Sequence, residues 1–146
     1  MIEYLTIDMA SPYYQGEREL RNLILLRPIG IPDFGWEMRD KDSFHFVAIS
    51  GQDVVGCVVL YPNPENPTSA QLMQMGVSES MQGKGVGTEL VKQLVQYAKA
   101  NKIEEVTCHS RLDAVLFYAK LDFELVGEPF VEADVVHRHM TLKLGN

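Results

Sequence analysis

Three glycines at alternate positions, Gly83, Gly85 and Gly87, surround Lys84 and lead directly into "TELVKQLVQYAKA". Glycine loosens the backbone and lowers helix propensity, so a glycine-rich helix start needs a compensating use. Two uses fit: a tight strand-to-helix turn, or a cradle for an anion. The first N–H groups of a helix lack intrahelical partners, and the macrodipole is positive there. Glycines let a phosphate reach those N–H groups with no Cβ in the way, and Lys84 adds a local positive charge. The spacing is not that of the common nucleotide loops. A dinucleotide fingerprint needs G-x-G-x-x-G after the first strand of a βαβ unit, and a P-loop needs a lysine followed by Ser or Thr. Here the pattern is G-x-G-x-G, it follows a meander, and Lys84 precedes Gly85.

The other residue types able to do chemistry are scattered. His137 and His139 share a strand face and suggest a metal, but no third ligand stands at metal-site spacing, so no metal is expected. Cys57 and Cys108 sit inside apolar runs and read as buried thiols rather than a disulfide framework, which makes a reducing cytoplasm the expected location.

The elements that must position these residues follow from periodicity. "IEYLTI" (2–7) reads as a strand, and Ser11-Pro12 as an N-cap with proline in the first helical turn. That helix runs through "RELRNLILLR" and is expected to end before Pro28. Residues 28–42 lack periodicity and read as an irregular loop. "SFHFVAIS" and "VVGCVVLY" form a hairpin across "GQD", "NPENP" (63–67) is a turn, and "SAQLMQMGV" is the third strand of the meander. After the glycines, Val86, Leu90, Leu94, Tyr97 and Ala98 fall on one helical face. "IEEVTCHS" is a strand, "DAVLFYAKL" a short helix, and "FELVGEPF" and "VVHRHMTLKL" close the chain as strands. The order is β-α-β-β-β-α-β-α-β-β, an α/β or α+β domain.

Bulk properties narrow the function classes. With 146 residues the chain is long enough for one substantial core, and 46% hydrophobic with 23% charged residues is ordinary for a globular domain. The longest uncharged run, Asn66 to Ser78, is too short and too polar to span a bilayer, and no secretory signal opens the sequence, so no membrane association is expected. A net charge of −7 argues against nucleic acid, whose binding relies on cationic surface.

"MGVSESMQGKGVGTELV" resembles the acetyl-CoA-binding motif of the GNAT N-acetyltransferase superfamily, a strand ending in a hydrophobic-x-Val, a short loop, and [QR]-x-x-G-x-[GA]. The family's second hallmark, N-x-x-A-x-x-x-Y-x-x-x-G-F, is similar to "RLDAVLFYAKLDF", where Ala114, Tyr118 and Phe123 match. "LRNLILLRP" (20–28) resembles the LRxxVLR of one GNAT subgroup, and "FVEADVVHRHM" (130–140) its FxExGIPHxxM. The resemblance implies the GNAT fold over residues 1–146: a single α/β (α+β) domain whose central sheet is mixed, mostly antiparallel and flanked by helices. Two positions depart from the pattern. Arg111 stands for the usual Asn, altering a cofactor contact or adding charge to it, and Asp122 replaces the Gly before Phe123, in a left-handed turn that Asp tolerates.

The resemblance also implies roles. Acetyl-CoA would be the cosubstrate, and an amine would attack its thioester directly. A backbone N–H of the strand around Met75 and Val77, splayed from its neighbour, would act as oxyanion donor. Gln82, Gly83, Lys84, Gly85, Val86, Gly87 and Thr88 would hold the pyrophosphate, with Met75, Val77, Arg111 and Tyr118 also against the cofactor. Tyr118 stands at the family's position for the proton donor to the departing thiolate. A base is wanted because primary amines are largely charged at neutral pH; Glu132, His137, Glu37 and His45 are the candidates, acting through water. Asp33, Glu37, Asp40, Asp42, Glu132 and Asp134 would attract an ammonium group, so a primary amine of a small molecule, peptide or protein is the expected acceptor. Arg39, Lys41 and Arg138 leave room for a carboxylate on the same substrate. A homodimer is compatible with this picture. The alternatives are another acyl-CoA donor, or a non-catalytic acyl-CoA sensor.

Overall fold

A computed structural model describes residues 1–145 of the chain. The apolar alternation yields seven strands: β1 (Ile2–Ile7), β2 (Phe44–Ser50), β3 (Asp53–Asn63), β4 (Asn66–Val77), β5 (Glu105–Arg111), β6 (Glu124–Glu132) and β7 (Val135–Lys143). They form one sheet in the order β1-β2-β3-β4-β5-β7-β6. Every neighbouring pair is antiparallel except β4 and β5. The sheet is therefore mixed and mostly antiparallel, as expected.

The three helices are α1 (Tyr14–Arg21), α2 (Val86–Ala100) and α3 (Val115–Ala119). On α2, Val86, Leu90, Val91, Leu94 and Ala98 are buried against Phe46, Val58, Leu60, Leu72, Val106 and Met140 of the sheet. Full burial of a leucine side chain is worth about 1.5–3 kcal/mol, so Leu90 and Leu94 alone anchor this helix. Leu20 of α1 covers the opposite face at Val47, Ile49 and Cys57.

The N-terminal helix departs from expectation at both ends. Ser11 Oγ accepts from the N–H of Tyr13, which fixes a turn, and the helix proper starts at Tyr14. Its α-helical part stops at Arg21, but the coil continues as a π-helical turn, Asn22–Leu26, and a 3₁₀ turn, Arg27–Ile29. Pro28 lies inside that last turn, where its missing N–H removes no needed bond, and Gly30 ends it with φ 78°. The segment after it is irregular, with Phe34 and Trp36 both at positive φ and a short 3₁₀ turn at Asp40–Asp42.

Two tight turns use left-handed backbone, and the one at Asp122 is the one the sequence leads to expect. Asp122 has φ 73° and delivers Phe123 into the core. Ala133 and Asp134 are both left-handed, the geometry a two-residue hairpin between β6 and β7 requires.

Candidate active site

The sheet opens where its one parallel pair ends. β4 and β5 are hydrogen-bonded only from Ser69–Leu72 to Glu105–Cys108, although β4 continues to Val77 and β5 to Arg111. Past Leu72, β4 backbone groups that point toward β5 have lost their ladder partner. On its other side β4 carries a bulge: Cys57 faces Gly76 and Val59 faces Met73, so Gln74 and Met75 together oppose one residue of β3. Gln74 takes φ 54° to make it. Bulges re-aim backbone groups and end regular pairing. Met75 to Val77 thus lie along a cleft with polar main chain free to meet a ligand.

The glycine segment stands at the same end. Gln82 Nε2 donates to the carbonyl of Val77 at 3.0 Å and ties the loop to the tip of β4. Gly85 is the N-cap of α2 at φ 83°, and no side chain caps this end. The first capping bond runs from the Glu89 N–H to the Gly85 carbonyl, so the N–H groups of Val86, Gly87 and Thr88 have no intrahelical acceptor. A Cβ built on Gly83 or Gly85 would meet nothing within 4 Å: the outer side of the loop is open. Lys84 is exposed there. Gly87 is glycine for a different reason, because a Cβ would lie 2.7 Å from Cε of Met75 and 3.5 Å from the Phe117 ring. It permits close approach of helix and strand. Val86 directs its side chain into the core, leaving only its N–H for a ligand.

Tyr118 on α3 lies in the core under the α2 side of the sheet, in the cluster that holds Cys108 and packs against Met75. It is 6% exposed, packs edge-on to Phe117 and Phe123, and its hydroxyl finds no partner among the described residues. Burial, and secondarily the nearby Cys108 thiol, pushes its ionisation far above the ordinary tyrosine value. A phenol so placed is neutral at ordinary pH. Burial also raises the thiol of Cys108 to about 12 and that of Cys57 further still, so neither is a nucleophile.

The base candidates separate clearly. His45 is fully buried, with Nδ1 2.8 Å from Glu17 and Nε2 2.9 Å from the Asp40 carbonyl, and cannot reach a substrate. Glu37 is bound to Arg18 Nε at 2.8 Å. His137 donates Nδ1–H to the Val135 carbonyl at 2.8 Å and is 8% exposed, which leaves Nε2 as its free nitrogen. Glu132 approaches His109, a residue the sequence pattern does not single out. Only strand register, which sets His109 across from His139, could have found it. Arg111 lies opposite His137 and points outward, 3.7 Å from Asp113. Among the described residues no group of three or more ligands suited to a metal is present.

The family model of the acetyltransferase (GNAT) family matches residues 5–123. N-acetyltransferase 8B of Rattus norvegicus is 31% identical over 99 residues, which cover 64% of this chain and 45% of that protein. The chain thus spans less than half the length of the curated relatives it matches. Among solved structures, Escherichia coli ElaA superposes with a TM-score of 0.86 at 19% identity, covering 97% of this chain and 99% of that one. A GNAT family acetyltransferase from Elizabethkingia anophelis with acetyl-CoA bound superposes with a TM-score of 0.76 at 18% identity, over 98% of both chains. At such identities the structural likeness bears on the fold.

Proposed function

This chain belongs to the acetyltransferase (GNAT) family, and from that premise we propose that it transfers the acetyl group of acetyl-CoA to a primary amine. The observation that carries this is the divergence of β4 and β5 beyond Leu72 and Cys108, with the uncapped start of α2 at the same end and Tyr118 in the core under the α2 side. The cleft suits the cosubstrate. Glycines at Gly83 and Gly85 leave room at the N–H groups of Val86, Gly87 and Thr88 for a pyrophosphate, with Gln82 fixing the loop and Lys84 adding charge. Met75, Val77 and Arg111 would flank the rest of the molecule. Acetyl-CoA supplies an activated carbonyl and a thiolate leaving group. Main-chain N–H groups near Met75 stabilise charge on the carbonyl oxygen, and Tyr118 holds a proton for the sulfur.

The acceptor is an amine of a small molecule, peptide or protein, attacking directly without a covalent enzyme intermediate. The buried, proton-retaining thiols of Cys57 and Cys108 support direct attack. A cytoplasmic setting, with acetyl-CoA and an amine as partners and no nucleic acid, goes with this activity; free thiols and the −7 charge support it. Among the described residues no helix is long and apolar enough to cross a membrane.

The test is thiol release from acetyl-CoA across a panel of amines and lysine-containing peptides, with product mass confirmed. At least one amine should give CoA release and an acetyl adduct. Tight acetyl-CoA binding with no release on any amine would leave a cofactor-binding domain without transfer.

A further inference from the structure

On the sheet face away from α2, side chains from three strands meet beside the cleft. The register sets His109 of β5 opposite His139 of β7. Their rings touch edge-to-face with centroids 4.8 Å apart. Phe130 of β6 stacks on His139 at 4.1 Å and meets the edge of His109 at 5.1 Å. Glu132 completes the group, its two carboxylate oxygens 3.2 and 3.3 Å from Nδ1 of His109. The ring of His109 is therefore held by an imidazole, a phenyl and a carboxylate. Because a carboxylate only accepts, Nδ1 carries the hydrogen, and in the neutral ring Nε2 has the lone pair.

The place of this ring matters more than its neighbours. Cys108 is the last β5 residue paired with β4, and it faces the core that contains Tyr118. His109 is the next residue, the first beyond the pairing, and strand alternation turns it to the opposite face. On β4, Gly76 lies against Ile24 and Leu25 on that same face. With a side chain 31% exposed, His109 reaches solvent at the point where the strands part. Where the strands part, one face of the sheet thus has the core that holds the Tyr118 phenol, and the other a partly exposed imidazole. Direct acyl transfer can use that division, since the ammonium loses its first proton on the side it enters and the sulfur gains one on the other.

Resting on the acetyl-transfer activity proposed above, we propose that His109 is the catalytic base for the acceptor amine and that Glu132 is the residue that positions it. Nε2 of His109 takes one proton from the incoming ammonium, and the freed lone pair forms the new C–N bond. The carbon–sulfur bond breaks with its electron pair on sulfur, which takes the Tyr118 proton. The second proton lost by nitrogen as the amide forms restores the phenol, and the imidazolium releases its proton to water. The sum is ammonium plus thioester giving amide, free thiol and one proton. Glu132 and His139 are the titratable groups facing the ring, with Arg111 and His137 two residues further along their strands.

The experiment measures kcat and kcat/KM against pH with the fastest amine of the panel, for the native protein, His109→Gln, His109→Asn, Glu132→Gln and the double variant His109→Gln/Glu132→Gln. Calorimetric acetyl-CoA affinity and thermal unfolding serve as controls. His109→Gln should lower kcat by roughly 10²-fold, the scale of a positioned base, with acetyl-CoA affinity unchanged. It should also move the rising limb of kcat/KM to the alkaline range of the amine itself. Glu132→Gln should cost less, and the double variant no more than His109→Gln alone, because the two act as a unit. Undiminished turnover in a folded His109 variant would overturn the proposal. So would a uniform loss with the pH profile unmoved, which would make His109 structural. If the native protein acetylates no amine, it is the activity itself that fails, and the base falls with it.

Discussion

Glu17→Gln would expose how much of this fold hangs on a group of charges that water does not reach. Glu17, Arg21, Asp40 and His45 are 0%, 1%, 3% and 0% exposed. Arg21 Nη1 lies 2.8 Å from Glu17 and 3.0 Å from Asp40, and its Nη2 makes a second bond to Asp40 at 3.1 Å. Tyr14 donates to Asp40 at 2.5 Å, and His45 Nδ1 lies 2.8 Å from Glu17. Two carboxylates against one guanidinium leave one negative charge over, which a protonated His45 cancels. Burial opposes charge on His45, but the hydrogen bond and the charge of Glu17, with help from Asp40, outweigh it and raise the imidazole above its ordinary value. Removing one partner from a buried ion pair costs about 3–5 kcal/mol. That is a large part of the roughly 5–15 kcal/mol a domain possesses. A second effect follows from the proton. Because the folded value of His45 is raised, its contribution is complete below the unfolded value of about 6.5 and is lost as pH climbs through the folded one. In that window the native state holds one proton more than the unfolded chain, so stability falls by up to about 1.4 kcal/mol per pH unit. Urea unfolding followed by circular dichroism at several pH values reads both quantities. Glu17→Gln should lose the stated free energy and flatten the pH dependence above neutrality, while His45→Gln should flatten it too. A loss under about 1 kcal/mol with the slope intact would refute the idea that these charges balance one another.

Two further outcomes bear on the cleft. Gly85→Ala tests backbone strain alone, since the site is open but left-handed; it should cost about 1–2 kcal/mol of stability and little acetyl-CoA affinity. Gly85→Glu adds bulk and like charge and should weaken acetyl-CoA severely, and equal affinities of the two variants by calorimetry would remove the pyrophosphate from this loop. Tyr118→Phe should leave thermal stability nearly unchanged, because the hydroxyl has no partner to lose among the described residues, while kcat drops by roughly 10²-fold. Native turnover in that variant would make Tyr118 a packing residue only.

What the sequence made legible was what depends on neighbours along the chain. Alternating apolar residues mark the strands, the face Val86, Leu90, Leu94 and Ala98 marks α2, and the glycines mark its open start. The limits of α1 escape local rules because two of those rules compete with packing. Ser11 serves a turn rather than the helix, and Pro28 sits in a 3₁₀ turn that a strict breaker rule excludes. The irregular character of 28–42 was plain from its lack of period, but not its purpose. That stretch carries Asp40 and the Trp36 carbonyl to Arg21, contacts that span 19 and 15 residues of sequence. His109 was invisible for the same reason: its meaning comes from β7 and β6 across the register.

The fate of the acidic residues follows from the same long-range pairing and changes what recognition can rest on. Six carboxylates were expected to draw an ammonium group toward the acceptor side. Asp33 instead holds Arg27 at 2.7 Å, Glu37 holds Arg18 at 2.8 Å, and Asp40 is buried against Arg21. Each is matched by a cation of α1 or of the turns that follow it, so half of the expected field is cancelled locally. Of the rest, Glu132 faces the sheet beside the cleft, and there it is engaged with His109. The −7 net charge therefore does not amount to an acidic funnel over the site. Long-range steering between exposed charges is also screened within about 8 Å at physiological salt. On the proposal that His109 is the base, selection of the acceptor would fall to that imidazole and to the rings packed on it, Phe130 and His139. An imidazole and an aromatic edge suit an amine carried on an apolar or extended stem better than one flanked by further cations.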